Sequence, residues 1–209
     1  MMPRICISRR TSLAAAVMTA VLAVSAAVAT EPAAVVTKLA DDVIAVLKQD
    51  DLSKAAKRER LERLVLASVD FDTLSRLVMA RNWTRLSEVQ QGEFKREFKR
   101  HLSATYGRRI DNYQNETVHI LSTREEVRGD RTVKSRISRG GGIEDVLVDY
   151  RLRQHDGEWK IIDFIIEGVS LVANFRSQFQ ELMSRGGPDH LLSALRKKTA
   201  EEEAREDAV

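Results

Sequence analysis

The sequence is poor in the residues that punctuate and staple a chain. It holds one Cys, three Pro and ten Gly in 209 residues, and aromatic residues make up 5% of it. A lone Cys excludes a disulfide framework and a cysteine-rich zinc site. Few Gly and Pro favour long helices over a loop-rich or collagen-like chain. Hydrophobic residues at 43% and charged ones at 31% sit near globular averages, which excludes a disordered or polytopic membrane protein. The length suits one domain with a sizeable core. A formal charge of +3 and a pI near 9.1 point towards an acidic polymer as partner.

That excess charge sits at the start of the chain. Arg4, Arg9 and Arg10 surround the approach to an apolar run from Leu13 to Val24, and Ala27-Val28-Ala29 supplies a small-residue cleavage site. Residues 1–29 read as a signal peptide for the Sec route, with Thr30 as the new N-terminus. Ser8-Arg9-Arg10-Thr11-Ser12-Leu13 also resembles a twin-arginine export signal, with Ser12 where that pattern prefers Phe. The apolar run is shorter than the roughly 20 residues that span a bilayer. Cleavage removes three Arg, no acid and the only Cys, Cys6, so the remainder is charge-balanced. It enters an oxidising compartment with packing alone to hold it.

The rest divides into helix, sheet and helix. Val35, Val36, Leu39, Val43, Ile44, Val46 and Leu47 recur at helical spacing, and after Asp50-Asp51 a second helix carries Leu61, Leu64 and Val65. Asp70 or Asp72 caps a short helix through Met79, and Ser87-Glu88-Val89-Gln90 is a capping box for a longer one to about Asn112. The period then falls to two. Thr117–Ser122, Arg131–Ser138, Ile143–Arg153 and Trp159–Ile166 read as four strands, joined by turns at Gly129-Asp130, Gly140-Gly141-Gly142 and His155-Asp156-Gly157. Such short links require an antiparallel meander.

On the third strand Val146, Val148, Tyr150 and Leu152 share one face, opposite Asp149, Arg151 and Arg153. Strict alternation on the fourth strand places Trp159, Ile161 and Ile165 against Ile162, Phe164 and Ile166, the pattern of a strand covered on both sides. Ser170 caps an amphipathic helix bearing Leu171, Val172, Phe175, Phe179 and Leu182, and Gly186-Gly187-Pro188 ends it and starts another. The expected architecture is α+β: a curved four-stranded antiparallel sheet packed with amphipathic helices. A domain over residues 30–198 precedes a charged tail, 199–209, expected to be solvated or frayed.

Chemistry is scarce. His101, His119, His155 and His190 form no metal-type pair. Gly168-Val169-Ser170-Leu171-Val172 imitates a nucleophile elbow but has Val172 in place of the closing Gly, so Ser170 reads as a helix cap. Asp163 and Glu167 are the acid/base pair that a small hydrolase or isomerase reading requires. Lys95, Arg96, Lys99, Arg100, Arg108 and Arg109 are interspersed with Glu93, Glu97 and Asp111, a poor nucleic-acid surface. What remains is an apolar surplus around the sheet. If the helices stand off it, these residues line a hollow for an apolar ligand.

Three blocks in register carry a family resemblance. They are Asp70-Phe71-Asp72-Thr73-Leu74-Ser75-Arg76 with Arg81-Asn82-Trp83; Val148-Asp149-Tyr150-Arg151-Leu152 with Asp156-Gly157-Glu158-Trp159-Lys160-Ile161-Ile162-Asp163; and Ile166-Glu167-Gly168-Val169-Ser170-Leu171-Val172 with Asn174-Phe175-Arg176-Ser177-Gln178-Phe179. Together they resemble the MlaC / toluene-tolerance family of periplasmic phospholipid-binding proteins. The resemblance implies a non-enzymatic carrier, without cofactor or metal, that encloses lipid acyl chains. It also implies two partners: an outer-membrane lipoprotein complex and an inner-membrane ABC transporter with an MCE-domain subunit. A hopanoid-binding branch shares these motifs, so phospholipid and hopanoid both stand as ligands. The pocket lining is expected among Leu77, Val78, Trp83, Phe98, Leu102, Val148, Tyr150, Ile161, Ile165, Val172, Phe175 and Phe179. Arg76, Arg81 and Arg176 are candidates for its mouth or for a partner surface. The competing readings are the Asp163/Glu167 enzyme and a purely structural adaptor with a filled core.

Overall fold

A computed structural model describes residues 31–107, 116–139 and 142–207. Residues 1–30, 108–115, 140–141 and 208–209 lie outside them, and with them the expected signal peptide, the expected end of the long helix near Asn112 and the Gly140-Gly141 part of a turn. Helix α1 (Pro32–Leu47) begins with Pro at its first turn, where the missing N–H is not needed. Ser53 caps α2 (Lys54–Ser68), and Asp70 caps α3 (Phe71–Met79) by accepting the Thr73 amide at 2.9 Å. A short 3-10 turn over Ala80–Arg85 leads to α4 (Glu88–Tyr106), which opens with the full Ser87/Gln90 capping box.

The sheet follows as β1 (Thr117–Glu125), β2 (Arg131–Ser138), β3 (Val146–His155), β4 (Glu158–Ile166) and β5 (Val169–Ser170), paired in chain order and antiparallel throughout. The meander is as expected, but the strands number five, not four. The fifth is two residues long, so it has no periodicity to read. It exists because Glu167 and Gly168, at φ 50° and 77°, fold the chain back through a tight hairpin turn. The lower half of the same β4 edge takes one parallel bridge, Val69 to Ile161, with the Asp70 amide donating to the Ile161 carbonyl at 2.9 Å.

Helix α5 (Leu171–Asp207) is broken at Gly186 and Gly187, the latter at φ 69° and ψ −160°, a region open to glycine alone. Lys198 Nζ lies 3.5 Å from Gln178 Oε1. Twenty residues of continuous helix would set those side chains about 30 Å apart, so the two arms fold back on each other. Both arms bury apolar residues in one core: Phe175, Phe179 and Met183 from the first, Leu191, Leu192 and Leu195 from the second. The charged end is therefore not a frayed tail. Thr199 is fully buried against His101, and Glu203 pairs with Arg100 of α4 at 2.6 Å.

The helices pack on one face of the sheet, and Val36 and Leu39 of α1 share a single core with Val133, Val148, Tyr150, Leu152 and Ile161. The opposite face is polar. There the buried Asp130 receives Arg151 Nε at 3.1 Å and Arg153 Nε at 2.7 Å. Burial alone would raise the Asp130 carboxyl, but the hydrogen bonds and charges of the two guanidiniums outweigh it and hold the group below the ordinary aspartate range.

Candidate functional site

Register fixes what the sheet presents to the helices. The rows crossing from β2 through β3 to β4 are Ile137–Val146, Ser135–Val148–Ile166, Val133–Tyr150–Phe164 and, last, Leu152–Ile161. Burial deepens along them. Ile137, Val146, Ile166 and, on β1, Ile120 are half-buried at one end, whereas Val133, Leu152 and Ile161 are at 0% exposure towards the other. The inward face is thus fully buried at one end and half-buried at the other; its central band is apolar except for Ser135 and Tyr150, with Thr123, Glu125 and Arg131 at its margin.

A bulge on β4 decides which residues take part. Leu152 pairs with Ile161 and Arg151 with Asp163, which leaves Ile162 as an extra residue and shifts the strand's phase. Phe164 and Ile166 therefore join Ile161 on the inward face. Ile165, expected among the lining residues, pairs with Asp149 and turns to the other side. The expectation of one face for Trp159, Ile161 and Ile165 fails for this reason, and the apolar density of β4 reflects the bulge as well as burial.

Across from the sheet stands an aromatic cluster. The Phe98 ring lies 5.5 Å from Phe94, 5.0 Å from Phe175 and 5.3 Å from Phe179. Trp83 meets Phe94 edge-on at 6.3 Å. Val78 and Val172 are buried in the same core, and Leu77, Trp83 and Leu102 are half-buried against it. The structure so gathers Leu77, Val78, Trp83, Phe98, Leu102, Val148, Tyr150, Ile161, Val172, Phe175 and Phe179, and sets Ile165 apart. Sequence reasoning missed Ile120, Ile137, Phe164 and Ile166. For the last two, the adjacent pair Ile161-Ile162 was the available trace of a bulge.

The proposed acid pair has other work. Asp163 accepts the Ser170 hydroxyl at 2.5 Å and the Val172 amide at 3.0 Å, while Ser170 Oγ accepts the Ala173 amide at 3.0 Å. Asp163 and Ser170 together cap α5, so Ser170 is the cap its position predicts. Burial, opposed by these hydrogen bonds, raises the Asp163 carboxyl. Glu167 binds the Leu147 amide through its side chain. Both carboxylates are therefore committed to backbone amides at the ends of structural elements. Arg176 donates to the Leu77 carbonyl at 3.0 Å, Arg76 lies over the Trp83 ring at 5.8 Å, and Arg81 is exposed.

A separate cleft of about 320 Å³ lies between α4 and both arms of α5. His101, Thr105, Gln178, Lys198, Glu201 and Glu202 bring polar and charged groups to its lining, and Tyr106 and Phe175 are shared with the apolar core. Burial, helped by Lys198, lowers His101 below the usual histidine range. Such a wet, charged cleft does not suit a hydrocarbon chain.

Comparison with known proteins places these features. The chain is 28% identical over 154 residues to toluene tolerance protein ttg2D of Pseudomonas putida, covering 73% of this chain and 71% of that protein. It is 22% identical over 195 residues to the intermembrane phospholipid transport system binding protein MlaC of Haemophilus influenzae, covering 88% of this chain and 90% of the relative. A solved phospholipid-binding protein from Ralstonia solanacearum, in complex with a phospholipid, superposes with a TM-score of 0.75 at 28% identity over 83% of this chain and 99% of that one. A family model described as MlaC protein matches residues 37–197, which spans the whole sheet, the first arm of α5 and the first half of the second. The chain belongs to the MlaC family.

Proposed function

We propose that this protein is a non-enzymatic lipid carrier that holds the acyl chains of a phospholipid between the inward sheet face and the aromatic helix layer. The observation that carries this reading is the inward face itself: a band of apolar side chains from Ile120 on β1 to Phe164 and Ile166 on β4, fully buried at Leu152 and Ile161 and half-buried at Ile137, Val146 and Ile166. The relatives' phospholipid names support it.

The energetics require such an enclosure. A buried methylene is worth about 0.8 kcal/mol, so two sixteen-carbon chains in water cost on the order of 20 kcal/mol. Against an apolar wall the exchange with a bilayer is nearly neutral and needs no bond chemistry. In this reading the carrier is exported to the periplasm and passes lipid between an outer-membrane lipoprotein complex and an inner-membrane ABC transporter with an MCE-domain subunit. Among the described residues, no helix is long and apolar enough to cross a membrane, which suits a shuttle.

Native mass spectrometry of the chain purified after export, followed by lipid extraction, tests the proposal. Stoichiometric co-purified lipid is expected. A lipid-free mass that stays lipid-free after incubation with phospholipid vesicles would overturn it.

A further inference from the structure

The half-buried end of the inward sheet face is bordered by aliphatic side chains that the fold leaves in water. Ile143 is 48% exposed, Leu147 47% and Val169 61%. All three stand at the same end of the sheet. Val169 pairs with Ile166 across the turn between β4 and β5, and so lies on the inward side. Leu147, next to Val146 in β3, points to the reverse side, and Ile143 lies on the chain leading into that strand. The backbone fixes them there. The Glu167 amide donates to the Leu147 carbonyl at 2.9 Å, and the Glu167 carboxylate accepts the Leu147 amide. These two bonds lock the start of β3 to the hairpin that carries Val169.

Single exposed aliphatic residues are ordinary, as at Val89 on α4 and Val127 in the turn between β1 and β2. A rim continuous with a half-buried apolar band is not, and such patches mark contact surfaces. Charge narrows the partner. Among the described residues of these strand ends, Arg136 and Arg139 stand against Glu116, Glu144, Asp145 and Glu167, and Arg136 lies 3.8 Å from Asp145. The rim therefore has no basic surplus with which to seek an anionic polymer or an anionic lipid. The ligand narrows it further. A carried lipid starts in a bilayer, and its chains cannot cross water at the cost given above.

We propose that the rim of Ile143, Leu147 and Val169 seats this end of the sheet in the surface of a phospholipid bilayer, so that acyl chains pass between bilayer and inward face without crossing water. This rests on the carrier reading and adds to it the surface at which lipid enters and leaves.

Vesicle flotation tests it, using the chain purified after export and protein-free vesicles of phosphatidylcholine. The unaltered chain is expected to float with these vesicles equally at low and high salt, and equally with or without added phosphatidylglycerol. Leu147→Thr with Val169→Thr puts β-branched polar residues at exposed strand positions and is expected to partition about 10-fold less. Val89→Thr with Val127→Thr is the matched control, expected to partition as the unaltered chain does. Both double variants are expected to take up as much lipid from detergent as the unaltered chain. Failure of the unaltered chain to float overturns the proposal. So does flotation that needs phosphatidylglycerol or low salt, or an equal loss in both double variants. Binding to native membranes but not to protein-free vesicles also overturns it, and assigns the rim to a membrane protein. In each of these cases co-purified lipid leaves the carrier reading standing. A chain that neither floats nor takes up lipid overturns both.

Discussion

The two ends of the inward sheet face are made of the same residue types and behave as different materials. Towards one end, Val133, Leu152 and Ile161 have no exposed surface, and on the reverse side Asp130 ties down Arg151 and Arg153. At the other end, Ile120, Ile137, Val146 and Ile166 are half-buried, and the reverse side offers Arg136 paired weakly with Asp145 at 3.8 Å. The first end is fully buried and clamped from both sides; the second is only half-covered by the core it packs against. Composition does not distinguish core from lining; what lies opposite each side chain does.

The contrast is broken most severely at Leu152. Leu152→Ala opens a cavity where nothing can move in, and is expected to cost about 3 kcal/mol, read as a fall in the urea midpoint at unchanged slope. Loss of fold without loss of lipid loading in the surviving fraction is the expected pattern.

The ionic side of the clamp gives the next effect. Asp130 is held below its ordinary value in the folded state, so its contribution is present above the usual aspartate pKa of about 3.9 and is lost as pH falls through the lower folded value. Asp130→Asn is expected to cost about 2 kcal/mol at neutral pH, and the gap between variant and unaltered chain to narrow as pH falls below about 4. Urea midpoints between about pH 3 and 7 measure it. A gap that stays constant with pH would show that the arginine pair does not depend on this carboxylate's charge.

At the uncovered end the balance reverses. Ile137→Ala is expected to cost about 1 kcal/mol or less in stability, since the side chain is only half-buried, yet to weaken retention of bound lipid. The matched control is Ile165→Ala, half-buried on the opposite face beside Asp149, for which stability changes by a similar amount and lipid loading does not. Equal lipid loss in both variants would dissolve the distinction between faces.

Much of this was legible in the sequence because it is written in short-range chemistry. Capping residues at Asp70 and Ser87, the period-two run of β3 and the Gly186-Gly187-Pro188 break each act over a few residues. Ile165 went astray because one inserted residue at Ile162 reverses the facing of every position after it. The end of the last helical arm was misread as a solvated tail because its charge outweighs the single inward Thr199, which acquires meaning only against His101 of α4. The uncovered end was not legible at all. It is a property of how incompletely the core covers Ile120, Ile137, Val146 and Ile166, and no residue encodes it by itself.

The aromatic cluster also sets an order of events. Phe94 and Phe98 lie before the sheet in the chain, and their partners Phe175 and Phe179 lie after it. Until α5 is available, the apolar stripe of α4 has only Phe71 and Trp83 to cover it, and the sheet has only part of its helical layer. Contacts this far apart in sequence slow folding and prolong the exposure of sticky surface. A chain that folds from its N-terminus would carry that stripe half-covered, and the arrival of the first arm of α5 closes it.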